Sequence, residues 1–267
     1  MPTNQLKILT VLTVLLAVTL IIVSFFGAFV SGTYERDSAS MAAQGKGQDL
    51  VDLFFVVPLL FLSLIFMQRN NKVACFIYGG TIFYILYSFF IYCFGVNFNK
   101  LFLLYCLTLG LSLYSFILFM GELNRMDVHK WFGENVPTRS IGIYLLIVAA
   151  MFYLLWFKDI IPAILNNSIP ASVSDNNLLV NPVHVLDIAF ALPGLIIATV
   201  LLLKKHRLGY ILAPIFLVFT IILAIALTGM VIMLKLNNIS ENISIAFIFI
   251  FLAIISFIFL FLFLKNI

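Results

Sequence analysis

The stretch NPVHVLDIAFALPG, residues 181–194, begins like a helix, carries two ionisable side chains, and then runs apolar into a proline. Asn181 before Pro182 is a helix-start signal. The asparagine side chain accepts a hydrogen bond from a first-turn N–H, and proline loses nothing at a position whose N–H has no helical partner. His184 then falls in the first turn, with Asp187 three residues on and nearly on the same face. A second stretch, QDLVDLFFVVPL at 48–59, repeats this spacing, with Asp49, Asp52 and Pro58 in place of His184, Asp187 and Pro193. The offset between them, from Asp52 to Asp187, is 135 residues, about half the chain.

The residues around both stretches leave one setting for them. The chain has 267 residues, is 64% hydrophobic and only 10% charged, and its mean hydropathy is +1.18. A soluble domain carries about a quarter charged residues, so this chain cannot cover a surface facing water. A spanning helix needs roughly 20 mostly apolar residues. Eight such runs stand out, at about 8–30, 50–67, 73–94, 101–120, 140–158, 183–203, 208–234 and 243–264. The expected fold is therefore an all-α polytopic transmembrane helix bundle in contact with the lipid bilayer. The first run is too long for the apolar core of a signal peptide and reads as an uncleaved span.

Lysine and arginine in the connections set the expected orientation. Lys7, Arg69, Lys72, Arg125, Lys130, Arg139, Lys204, Lys205, Arg207 and Lys265 fall on one side, against Arg36, Lys46, Lys100, Lys158 and Lys235 on the other. The richer side is expected to be cytoplasmic, with both termini. Segments 31–49 and 159–182 then become two long external loops, and Tyr34, Trp156 and Tyr210 take interfacial positions. The basic residues form no stripe, so nothing points to a nucleic-acid partner.

At the 135-residue offset Phe55 also meets Phe190 and Lys72 meets Arg207. Two four-helix repeats are expected, residues 1–135 and 136–267. Four spans per copy is an even number, so the copies would be parallel and related by an axis along the membrane normal. That axis would set the two opening stretches opposite each other.

Asp49, Asp52, His184 and Asp187 are thus expected to ring the external entrance of the second and sixth spans. Two readings compete. Carboxylates near a helix N-terminus are stabilised by the helix dipole by about 0.3–1 kcal/mol each, which suits anchors at headgroup level. Yet Asp52 and Asp187 lie a turn or more inside, where a lipid-facing carboxylate is costly, so they should face the interior with a partner. Tyr84 and Tyr87, on one face of the third span, are candidates to line a cavity beside them. Pro58, Pro193 and Pro214 lie within spans and mark kinks or hinges. The ring binds a small solute or cation on the functional reading, and a histidine with an ordinary pKa near 6.5 would tie occupancy to pH. A mixed carboxylate–histidine metal site is chemically possible. No nucleophile, phosphate-loop or zinc-protease motif is present, and no sequence signature names a cofactor. The three cysteines, Cys75, Cys93 and Cys106, lie in apolar runs without a CxxC spacing and read as buried thiols.

GQDLVDL with its following proline, FYILYSFFIYCFGVNFNKLFLLY and NPVHVLDIAFALPG together resemble a group of bacterial polytopic membrane proteins with no assigned activity. The resemblance covers most of the chain. It implies a bacterial plasma (inner) membrane and says nothing of substrate. The function expected from the residues is transport, or the handling of a small ligand or ion, through an externally open polar pocket between the repeats. The alternatives are an accessory membrane subunit or a membrane-embedded enzyme.

Overall fold

The computed structural model describes residues 3–133, 135–240 and 242–267. Its eight long helices are α1 (Thr3–Phe29), α2 (Ala39–Gln68), α3 (Lys72–Gly95), α4 (Phe102–Arg125), α5 (Thr138–Leu165), α6 (Pro182–Leu203), α7 (Arg207–Leu236) and α8 (Ser244–Leu264). Each is long and apolar enough to cross a membrane. The protein is an all-helical, multi-pass integral membrane protein, as its composition requires.

The ends of the helices sort into two faces. At one, the α1–α2 connection meets the α3–α4 and α5–α6 connections: Asn97 donates to Asp37 from both its backbone and side-chain nitrogens, and Ser38 donates to Asn176. This is the long-loop end. At the other, Gln68 donates to Thr10, Arg207 to Asn124, and the Gly133 N–H to the Asn266 carbonyl. Here the α4–α5 linker tucks under the bundle. Trp131 and Phe132 pack on Phe76, Phe132 also packs on Tyr210 and Phe263, and Lys72 sits 5.8 Å from the centre of the Trp131 ring.

Helix α3 is the most deeply buried span, and the packing shows why. It lies against α2 and α4 on one side and crosses α7 on the other, while α7 in turn packs on α6 and α8. The crossing is close because Gly79 and Gly80 present no side chain. A Cβ on Gly80 would run into Val218 and come within 2.8 Å of the Ile215 carbonyl. Small residues at such crossings replace the hydrophobic drive that is missing between helices in lipid.

Two corrections to the expected spans matter for the site. Helix α2 begins at Ala39, eleven residues before the expected run, and α5 continues to Leu165. The residues counted as loop at 39–49 are helical, capped by the Ser38 side chain, which accepts from the Met41 N–H. Their composition, ASMAAQGKGQ, is too polar for lipid, but it is small. Gly47 lies so close to Gly229 of α7 that a Cβ would stand 2.5 Å from the Gly229 carbonyl oxygen. A protein-facing helix need not be apolar, and hydropathy alone cannot see one. A further correction concerns Cys106, which is exposed on α4 rather than buried.

The prolines do not unwind their helices. Before each of Pro58 and Pro193 the helix widens by one residue into a single π turn, Asp52–Val56 and Asp187–Ala191. The Val57 N–H bonds to the Asp52 carbonyl and the Leu192 N–H to the Asp187 carbonyl, five residues back instead of four. Proline has no N–H and its ring crowds the carbonyl four residues earlier, and a π turn placed just ahead relieves both. Pro214 lies inside α7, which runs on through it.

Candidate functional site

Asp49 and Asp52 lie on α2 and are 0% and 1% exposed; His184 and Asp187 on α6 are 7% and 4% exposed. Asp187 sits just beyond the first turn of α6, and the Asn181 side chain accepts from the Val183 N–H as its spacing predicts. Asp49, by contrast, is not at a helix start but well inside α2, ten residues after its first residue Ala39, in full burial.

Hydroxyl and indole groups hold these carboxylates. Tyr34, from the α1–α2 connection, donates to Asp49 Oδ2 at 2.5 Å, and Tyr92 of α3 donates to Oδ1 at 2.8 Å. Gly27 of α1 makes room for this pair, since a Cβ there would overlap the carboxylate and come within 2.6 Å of the Tyr34 hydroxyl. Burial, reinforced by the neighbouring Asp49 charge, pushes the Tyr34 phenol well above its ordinary pKa, so it remains a neutral donor. Tyr84 donates to Asp52 Oδ1 at 2.9 Å. Asp187 accepts from Tyr87 at 2.8 Å and from the Trp156 indole N–H at 2.7 Å. Among the described residues, no lysine or arginine pairs with Asp49, Asp52 or Asp187.

The two tyrosines singled out in the sequence do meet the aspartates, but not side by side in one pocket. Three residues apart on α3, they reach different helices, Tyr84 to Asp52 on α2 and Tyr87 to Asp187 on α6. Tyr34 and Trp156, expected at interfacial positions, donate to carboxylates. Both stand near an aspartate in space and far from it in sequence, so no local pattern reveals the pairing. Sequence reasoning missed Asp159 for the same reason: its Oδ2 accepts from Ser172 Oγ at 2.5 Å and lies 3.9 Å from His184 Nε2. That imidazole packs on Trp156, with ring centres 4.7 Å apart, and its buried Nε2 has no hydrogen-bond partner.

The surroundings of the aspartates differ. Asp49 and Asp52 are closed in by tyrosines. Asp187 borders a narrow slot between α5, α6, α7 and α8, walled by Phe152, Phe219, Ala224 and Leu252 among others. Its enclosed volume is about 20 Å³, room for roughly one water molecule. Apart from Asp187 its lining carries one polar side chain, Thr220, whose hydroxyl donates to the Phe216 carbonyl. Among the described residues, no three His, Cys, Asp or Glu side chains converge as a metal-binding group.

Chemically, these aspartates are buried acceptors supplied with neutral donors and, among the described residues, lacking a basic partner. Such a group can hold a proton, attract a cation, or fix a ligand that brings a donor of its own. Comparison with known proteins finds no matching family model, curated relative or solved structure.

Proposed function

We propose that the protein handles a small ligand or ion at Asp52 and Asp187, within a bundle of two parallel four-helix repeats. The observation that carries the reading is that α3 serves both aspartates, each the first residue of a π turn, through Tyr84 and Tyr87. A buried carboxylate kept only for stability is a costly choice, because an apolar residue of the same shape needs no partner. That the π turn, the aspartate and the tyrosine contact all occur twice supports a functional rather than an incidental origin.

The duplication itself is supported by features that recur at the 135-residue offset. Besides the π turns and prolines, Gly32 and Asn167 both have positive φ, as do Asn70 and Lys205 in the turns that lead into α3 and α7. Asn71 and His206 follow those turns and cap the next helix with their side chains. The packing supports it too: α1–α2, α2–α3 and α3–α4 contacts are matched by α5–α6, α6–α7 and α7–α8, with α3 against α7 at the centre. We place the long-loop end outside and both termini in the cytoplasm of a bacterial cell, on the distribution of basic residues.

The test is flux through purified protein in liposomes, with an internal pH dye and imposed gradients of protons, sodium or potassium. Movement above that of empty liposomes is expected, and Asp187→Asn is expected to reduce it at least tenfold while the protein stays folded. Absence of flux for every ion, together with identical melting of wild type and Asp187→Asn across pH 5 to 8, would favour an accessory subunit with structural aspartates.

A further inference from the structure

Basic residues are few at the long-loop end, yet two of them, from different connections, meet at one groove. Arg36 follows α1 and Lys100 precedes α4, and both line an open groove of about 700 Å³ between the end of α1 and the start of α4. That volume is in the range of small-molecule sites. Arg36 is held in place there: its Nη1 donates to the Phe98 carbonyl at 3.0 Å, which uses one guanidinium N–H and leaves the others free to donate. Among the described residues, neither Arg36 nor Lys100 is in an ion pair. Glu35 is the single carboxylate of the lining, so two cations stand against one anion. Helix α4 starts at the groove without a side-chain cap, which adds the positive end of its dipole.

The rest of the groove is largely apolar. Phe26 of α1 and Leu103 of α4 line it and are exposed, and one turn further into the spans the exposed Ile22 and Leu107 continue the same faces. Helices α1 and α4 pack against each other along this line. The groove thus has a cationic end, where the two helices leave the membrane, and an apolar end that opens onto their outward faces.

We propose that this groove binds a membrane phospholipid, its phosphate held by Arg36 and Lys100 and one acyl chain lying along Phe26 and Leu103. The inference goes beyond the aspartate site and stands without it. A guanidinium fork matches phosphate oxygens, a lysine adds a mobile point charge, and basic pockets between spans take lipid headgroups. A free phosphate would leave the apolar wall unused, and a neutral lipid would leave both cations without a complement. No helix has to move, because the groove is already open. Arg36 also stands between Tyr34, the donor to Asp49, and Asp37, the acceptor for Asn97, so a bound lipid would brace the connection that brings Tyr34 to Asp49.

The full chain, purified and stripped of lipid in a neutral detergent, is titrated with dioleoyl phosphatidylglycerol, dioleoylglycerol or glycerol phosphate while its melting temperature is followed. The phospholipid is expected to raise that temperature saturably by several degrees. Dioleoylglycerol, the chains without the phosphate, and glycerol phosphate, the phosphate without the chains, are expected to produce no saturable rise. In Arg36→Gln/Lys100→Gln, half-saturation should need at least tenfold more phospholipid. Lys46→Gln/Lys158→Gln removes two charges at the same end but outside the groove lining and should leave it unchanged. Lys100→Gln alone, on an exposed side chain, serves if Arg36→Gln does not fold, with at least a threefold change. Equal saturation by dioleoylglycerol would make the groove an apolar crevice only, and equal saturation by glycerol phosphate a site for soluble anions. Equal losses in the two double variants would reduce the effect to surface charge. Any of these results, an undiminished response in the folded groove variant, or no saturable phase with the phospholipid would overturn the proposal.

Discussion

A buried carboxylate with two donors is a network whose parts are easily weighed one at a time. Removing the Tyr92 hydroxyl leaves Asp49 with Tyr34 alone, and a lost partner to a buried acceptor costs about 1–3 kcal/mol. Tyr92→Phe is therefore expected to lower the melting temperature in detergent, whereas Tyr114→Phe, on an exposed ring of α4, is expected to leave it unchanged. Lys205 has φ 54, a left-handed conformation that costs a side chain of this kind roughly 1–2 kcal/mol. Asparagine tolerates that conformation better, and Asn70 already occupies it in the matching turn. Lys205→Asn is accordingly expected to raise stability by about 0.5–1 kcal/mol, measured by the same melting assay. At this scale the sequence announced the acceptors and concealed most donors. Asp49, Asp52 and Asp187 were legible because charge is rare in an apolar chain. Tyr34 and Trp156 were not, because a lone aromatic at a helix end has a sufficient explanation in the membrane interface.

Among the helices, what hydropathy finds is lipid contact, and that explains both its success and its error. Most of the spans lie within a few residues of the apolar runs, since their surfaces are largely turned to lipid. The start of α2 escaped because its small and polar residues face α7 and the α1–α2 connection. The π turns also escaped, although the aspartate–proline spacing pointed to them: a proline six residues after a buried polar group was legible as a local irregularity, and the form of that irregularity depended on backbone hydrogen bonds. Glycine separates crossing from lipid-facing surface in a way that can be checked. Gly80→Ala should destabilise by roughly 1–3 kcal/mol through forced overlap with Val218 and the Ile215 carbonyl. At Gly110 a Cβ would meet nothing within 4 Å, so Gly110→Ala should stabilise by about 0.5–1 kcal/mol, the usual gain for a helix interior. Thermal unfolding of the two variants in one detergent distinguishes them.

Over the whole molecule, the order of spans and the grouping of their ends follow from the chain, and the sidedness remains to be measured. Single cysteines at Glu35 and Asn177, in a background without the native three, should react with an impermeant thiol reagent in intact cells, and one at Lys204 only after lysis; the reverse pattern would invert the orientation. Helix α3 adds a mechanical property to this architecture. It is a rigid rod with Tyr84 and Tyr87 fixed three positions apart, one hydroxyl on the carboxylate of α2 and the other on that of α6. A slide of the rod along its axis shifts both hydroxyls together. A hydrogen bond at 2.8–2.9 Å fails once stretched by about 1 Å, so an axial slide of that size strains both contacts at once. The rod then has the form of a crank with two pins: a slide of α3 driven from Asp187 reaches Asp52 in the same motion, without a relay of intervening side chains.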